Sequence, residues 1–166
     1  MTVSRRRDVL GLVGFVVMCF GVSVLGGRAV APALAIWYPG LVKPSWTPPS
    51  WVFGPVWTLL YPLVAVAGWL VWREGRSRVG TLLFLLQLSL NAAWPWIFFG
   101  ERRIDLALLC VALLWLAILG TIRAFWRVSR GAAVLLLPYL GWVGFATALN
   151  AAIWFLNVGG AAARSQ

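Results

Sequence analysis

Five long apolar runs, separated by short clusters of arginine, organise this chain. They cover residues 9–27, 51–72, 79–99, 105–126 and 132–158. Each is near or above the roughly 20 residues that cross a bilayer as a helix, and the fourth is marginal at its strictly apolar limits, 106–122. Arg5, Arg6 and Arg7 ahead of the first run resemble the start of a signal peptide. The run is longer than the usual h-region of about 7–15 residues, and no A-x-A cleavage site is placed as expected, so a retained first helix is predicted. Gly11, Gly14 and Gly21 within it would let another helix approach closely.

Residues 28–50 break the pattern with Pro32, Pro39, Pro44, Pro48 and Pro49. Proline lacks a backbone donor and biases its predecessor away from helix, which predicts a loop or broken helix. Trp37, Tyr38 and Trp46 are poor material for a solvated linker, and irregular backbone at membrane depth survives only in protein or lining a cavity. The segment is therefore a candidate lid. The expected fold is all-α: a single domain over 1–166, an integral membrane bundle of five transmembrane helices with a long Pro/Trp-rich loop after the first. No internal repeat is visible, and an odd number of spans argues against a simple inverted-repeat transporter.

Composition supports lipid as the surrounding solvent. Residues are 62% hydrophobic and 11% charged, against about 45–50% and about 25% in a soluble domain. Twelve Trp exceed what a core requires, so many should anchor at the membrane interface while a minority line a cavity. The net charge of +10 sits in short clusters between apolar runs, the pattern of topology signals and of attraction to anionic headgroups rather than of nucleic-acid binding. Arg5, Arg6, Arg7, Arg73, Arg76, Arg78, Arg123, Arg127 and Arg130 fall on the N-terminal side. Arg28, Lys43, Arg102, Arg103 and Arg164 fall on the other. The positive-inside rule then places the N-terminus in the cytoplasm, the loop outside, and the protein in the cell membrane.

Absent residues remove several chemistries. The four acids, Asp8, Glu74, Glu101 and Asp105, lie at span edges, so no mid-span carboxylate is present to carry a coupling charge. There is no His, and paired-carboxylate or Ser-His-Asp catalysis has no residues to use. Cys19 and Cys110 lie inside apolar runs without CxxC spacing and read as buried small hydrophobes, and no metal site is expected.

What remains is aromatic and amide. Gln87, Asn91 and Trp94 share one face of the third span, and an amide in hydrocarbon must find a partner, so this face points into the bundle. Asn91 either joins helices or meets a ligand's carbonyl or carboxylate. Tyr139, Trp142, Ala146 and Asn150 form one stripe on the fifth span, with Asn157 a heptad further on. Ala146 beside Trp142 offers either a slot for a flat ring or a packed helix interface. Trp57, Tyr61, Ala65 and Gly68 share a face of the second. Inward Trp, Tyr and Asn under an aromatic loop describe an apolar cavity suited to a planar ligand.

Three segments in order carry a family resemblance: WYPGLVKPSWTPPSWVFGPVWTLLY (37–61), QLSLNAAWPWIFFG (87–100) and LLPYLGWVGFATALN (136–150). They resemble the first loop with second helix, the third helix and the fifth helix of the TspO/MBR family of translocator and tryptophan-rich sensory proteins. The match runs from 37 to about 157. The resemblance implies a ligand pocket under the first loop, and a membrane receptor or regulator of porphyrins, haem or other planar apolar molecules. Sterols and synthetic isoquinoline or benzodiazepine drugs are ligands in some branches. The implied pocket comprises Tyr38, Trp57, Asn91, Trp94, Trp142, Ala146 and Asn150, with Trp46 and its neighbouring prolines closing it. Trp57 and Trp142 match the pair linked to light- and oxygen-dependent porphyrin breakdown and are the candidate catalytic residues. No cofactor is required; porphyrin or haem is the implied ligand, membrane lipid and a homodimer mate the implied partners, and transport of tetrapyrroles the alternative role. The sterol pattern of animal members needs a Tyr and a basic residue after Leu149; residues 150–156 supply neither, which favours a tetrapyrrole.

Overall fold

Pro32 does not end the first helix. In the computed structural model, which describes residues 3–75 and 77–159, helix α1 runs from Val3 to Ile36 with Pro32 inside it. The loop expected from residue 28 therefore begins near Trp37. A mid-helix proline removes one hydrogen bond and strains the preceding turn. Here Ala29, Ala31, Ala33 and Ala35 flank it, and alanine is the strongest helix former. Ala29 and Ala33 are also buried, on a stretch that packs against the end of the third span, so tertiary contact offsets the proline. The irregular segment is confined to the stretch holding Pro39, Pro44, Pro48 and Pro49, with short 3₁₀ turns at Tyr38–Gly40 and Ser50–Val52.

Helix α2 spans Phe53–Glu74, and α3 spans Arg78–Pro95, its first turn capped by the Ser77 hydroxyl accepting from the Gly80 N–H at 3.0 Å. Pro95 offers no donor, and the helix widens into a π turn at Trp96–Gly100, where the Glu101 N–H reaches the Trp96 carbonyl at 2.8 Å. Arg102 then turns the chain with φ 57°. Helix α4 covers Ile104–Trp126. The last span is jointed: α5 (Arg130–Leu135) meets α6 (Leu137–Trp154) at Leu136, just before Pro138, and a π turn at Phe155–Gly159 follows. Arg76 and Arg164, both part of the cation count, and the Gly/Ala-rich end of the chain lie outside the described residues.

Five stretches are long and apolar enough to cross a membrane: Arg5–Ile36, Ser50–Glu74, Arg78–Gly100, Ile104–Trp126 and Arg130–Asn157. Their faces are distributed as lipid demands. On α4 the buried side is Ala107, Cys110, Val111, Leu114, Ala117 and Ile118, while Leu106, Leu109, Leu113, Leu116 and Leu119 are exposed. Leucine turned outward along a whole helix is stable only against hydrocarbon. The protein is an integral, multi-pass membrane bundle. Cys19 and Cys110 are both free and buried, as their apolar surroundings predict.

Small residues set the close approaches, though not all where the sequence suggests. Gly11 receives the Trp72 ring, but Gly14 and Gly21 face open space. Gly68 is the tightest point inside the bundle: a Cβ there would lie 2.7 Å from the Phe84 ring and 2.8 Å from the Phe15 ring. Gly68→Val should therefore lower stability by about 1–3 kcal/mol through overpacking. Gly14→Val should leave it unchanged, and thermal unfolding of the detergent-purified pair measures the difference.

Candidate ligand site

Two buried asparagines of the bundle interior bond across to other helices. Asn91 on α3 sits between two tyrosines. The Tyr61 hydroxyl of α2 donates to its Oδ1 at 2.8 Å, and its Nδ2 donates to the Tyr139 hydroxyl of α6 at 2.9 Å. One amide thus joins three helices. Asn150 makes the second junction, nearer the loop: it accepts from the Trp94 indole N–H of α3 at 3.1 Å and donates to the Ile104 carbonyl of α4 at 3.1 Å. Of the two alternatives open from the sequence, the structure gives Asn91 the helix-joining one.

Asn157 makes the third junction, to the loop itself. Its Oδ1 accepts from the Val42 N–H at 3.0 Å, and its Nδ2 donates to the Val42 carbonyl at 2.8 Å. Lys43 then folds its ammonium back onto the carbonyls of Tyr38 at 2.8 Å and Leu41 at 2.9 Å, 4.9 Å from the centre of the Tyr38 ring. A backbone with so few regular hydrogen bonds needs such side-chain partners to hold one shape. Burial raises the Tyr38 phenol above its ordinary pKa, which keeps it neutral there.

Around these junctions the aromatic rings fall into two apolar clusters. The larger includes Trp57, Trp142 and Ala146; the smaller, under the loop, includes Trp37, Tyr38, Phe53, Phe98 and Phe145; Trp94 packs against both. Trp57 stacks on Tyr61 at 5.2 Å and meets Tyr139 edge-on at 6.1 Å. Trp142 contacts Phe53 at 5.8 Å and Phe145 at 5.4 Å, while Trp46 reaches down from the loop to Phe145 at 5.7 Å. Trp94 stacks on Phe98 at 5.3 Å, and Phe98 in turn touches Tyr38.

Of the eight sequence-predicted residues, Trp94 and Trp142 lie at the seam where the two clusters meet, with Asn150 bonded to Trp94; Trp57, Asn91 and Ala146 lie in or against the larger cluster, Tyr38 in the smaller, and Trp46 above it. Asn91 and Asn150 are buried; Tyr38, Trp57, Trp94, Trp142 and Ala146 are half-buried; Trp46 is exposed. The rings of the seam rest on one another. Open grooves of about 630 and 450 Å³ lie instead at the opposite, N-terminal end of the bundle. Phe53, Phe98, Phe99 and Phe145 belong to the seam and were not singled out from the sequence. Their signal was helical spacing: Phe98 is four residues after Trp94, and Phe145 three after Trp142.

Gln87 stands apart. It lies one turn before Asn91, fully buried, and both its amide oxygen and nitrogen lack a partner. Removing an unsatisfied buried polar group in favour of an apolar one of similar size is neutral or stabilising, whereas removing one partner of a made bond leaves the others exposed to the penalty. Gln87→Leu should hold or raise the unfolding temperature. Asn91→Leu strips both Tyr61 and Tyr139 of their partner and should cost about 1–2 kcal/mol, read in the same thermal assay.

Comparison with known proteins agrees with this architecture. The TspO/MBR family profile matches residues 15–155. The tryptophan-rich protein TspO of Chlorobaculum tepidum is 40% identical over 156 residues, 92% of this chain and 99% of the relative. The human translocator protein is 44% identical over 140 residues, covering 81% of this chain and 83% of its own. A tryptophan-rich sensory protein of Cereibacter sphaeroides is 40% identical over 121 residues, 73% of this chain and 77% of the relative. With the profile spanning most of the described residues and all five spans touched by it, this chain belongs to the TspO/MBR family.

Proposed function

We propose that this protein is a membrane receptor or regulator that binds a planar, largely apolar ligand of the tetrapyrrole type at the seam beneath the 37–50 loop. The observation that carries this reading is a division of labour in the site. The buried asparagines are engaged in joining helices, so recognition falls to the faces of Trp57, Trp94, Trp142 and Phe145 and to the exposed Trp46 above them. Aromatic faces with few free polar groups favour a flat, polarisable molecule over a polar one. The seam admits it by parting ring contacts, each worth about 0.5–1.5 kcal/mol beyond burial, while the amide junctions stay closed. The names of two relatives, translocator protein and tryptophan-rich sensory protein, are in keeping with a ligand-responsive membrane role. In this reading the N-terminus is cytoplasmic and the loop faces outward.

A second reading, photo-oxidative breakdown of the bound ligand with molecular oxygen as oxidant, draws on one contact. Trp57 stacks on Tyr61, so an electron given up by the indole to the excited ligand, and passed from the ligand to molecular oxygen, leaves an indole radical cation beside a second aromatic ring that stabilises it.

Two measurements decide between these readings. Protoporphyrin IX titrated into the purified protein should quench tryptophan fluorescence saturably, and Trp142→Ala should weaken binding about 3- to 10-fold, the equivalent of one lost ring contact. Unchanged affinity in that variant refutes the seam as the site. Illumination of the complex in air, followed at the Soret band, should bleach the porphyrin faster than free porphyrin if the second reading holds. A Trp57→Phe/Trp142→Phe variant should then lose the difference while still binding.

A further inference from the structure

The end of the bundle away from the loop carries two grooves of the same unusual make-up. The larger, about 630 Å³, is a shallow, open depression along the last turns of α4, running from Leu116, Leu119 and Gly120 to Arg123, Trp126 and Arg127. The smaller, about 450 Å³, lies between the start of α1 and the end of α2, where Arg6, Arg7, Leu10 and Gly11 meet Trp72. Each combines two arginines, one tryptophan, apolar floor and a glycine. The element order alone does not dictate this, since one groove lies along a single helix and the other lies between two.

Arg123, Trp126 and Arg127 stand at i, i+3 and i+4, on one face of the final turn, and all three are exposed. The ion pairs among the described residues are Arg73–Glu74 and Arg103–Asp105, and neither involves Arg123 or Arg127. Arginine presents a planar fork that grips phosphate oxygens from two directions. Leu116 and Leu119, 57% and 43% exposed, continue the groove towards the middle of the span, where lipid tails run. Gly120, one turn beyond Leu116, packs against α3, where a Cβ would lie 3.4 Å from the Leu83 side chain. Trp126, at the helix end, is exposed, and an indole at the interface can donate its N–H to an ester or phosphate oxygen.

We infer that the α4 groove is a binding site for one anionic phospholipid. Its phosphate sits between Arg123 and Arg127, its glycerol region lies against Trp126, and an acyl chain runs along Leu116 and Leu119. Two guanidiniums against one phosphate leave a positive excess, so a headgroup lacking its own ammonium is preferred. Free inorganic phosphate satisfies the arginines but cannot use the leucine floor, which selects the lipid. The α1–α2 groove repeats the chemistry at smaller size, with Arg7 already resting on Trp72 at 5.0 Å and so less available to a phosphate. Neither groove touches the seam beneath the loop, and the inference stands whether or not a tetrapyrrole binds there.

The test uses the full chain in nanodiscs of phosphatidylcholine containing phosphatidylglycerol, with retained lipid counted by native mass spectrometry. The parent should keep one phosphatidylglycerol in preference to phosphatidylcholine, and added inorganic phosphate should not displace it. Arg123→Gln/Arg127→Gln removes both charge-assisted guanidinium–phosphate contacts of the site and should lower retention about 25-fold. Arg78→Gln/Arg130→Gln removes the same charge at the same end, outside both grooves, and should retain the lipid almost as the parent does. Equal loss in both double variants would mean diffuse attraction and overturn the site. So would equal retention of the two lipids by the parent, or displacement by phosphate. All four arginines are exposed, and unchanged thermal unfolding in each variant confirms that the fold is not what changed.

Discussion

Helices in hydrocarbon gain little by hiding apolar surface from one another, because the lipid tails are as apolar as leucine. What holds such a bundle in register is close packing and the rare hydrogen bond between helices. In this protein the second role falls to three asparagines at successive heights. Asn91 joins α2, α3 and α6 through two tyrosine hydroxyls. Asn150 joins α3 to α4 through Trp94 and the Ile104 carbonyl. Asn157 fastens the loop backbone to the end of the last span. Each interhelical bond contributes modestly, on average about 0.6 kcal/mol in membrane proteins, but each also forbids a one-residue rotation of its helix that packing alone would tolerate. The orientation of Trp57, Trp94 and Trp142 follows from these junctions.

The same arrangement explains how a site can exist among rings that rest on one another. Ring contacts at the seam are individually weak and have no unique geometry, whereas the amide junctions are directional. On the proposed reading, a ligand inserted between the clusters exchanges ring–ring contact for ring–ligand contact at little net cost, and the register of the helices survives. The loop is held asymmetrically. Its first part is fixed through Val42 and Lys43, while Trp46 beyond them is half exposed and meets the Phe145 ring. On the proposed reading, movement is concentrated between Lys43 and Ser50, where Pro44, Pro48 and Pro49 leave few backbone donors to break.

The five spans were legible because length and hydropathy are the same requirement in a bilayer. The inward faces were legible because Asn, Tyr and Trp recur at helical spacing on three spans. Where the reading fell short, the reason is local. Pro32 reads like the four prolines after it, yet its alanine neighbours and the buried contacts of Ala29 and Ala33 keep α1 helical. Gln87 and Asn91 look equivalent on one face, but one turn separates an amide with two tyrosine partners from one with none. Periodicity reports which side of a helix a group is on, not what stands opposite. Phe98 and Phe145 escaped because phenylalanine is ordinary core material, and only the neighbouring indoles give those positions meaning.

Tryptophan makes the same point across the whole molecule. Trp69 and Trp72, at the N-terminal end, each carry a guanidinium over the ring, Arg73 at 4.6 Å and Arg7 at 5.0 Å, and the Trp69 indole N–H donates to the Asp8 carbonyl. Trp57, Trp94 and Trp142, toward the other end, pack against aromatic rings instead. An indole beside a cation is tied to the water-facing layer, since separating the pair from water would strand the charge. An indole among rings has no cation to hold it, and of these three only Trp94 is fixed by its N–H, to Asn150. The bundle is thus anchored at the end where its arginines gather and adaptable at the end where its loop lies, a polarity that the company of each tryptophan, rather than the number of tryptophans, determines.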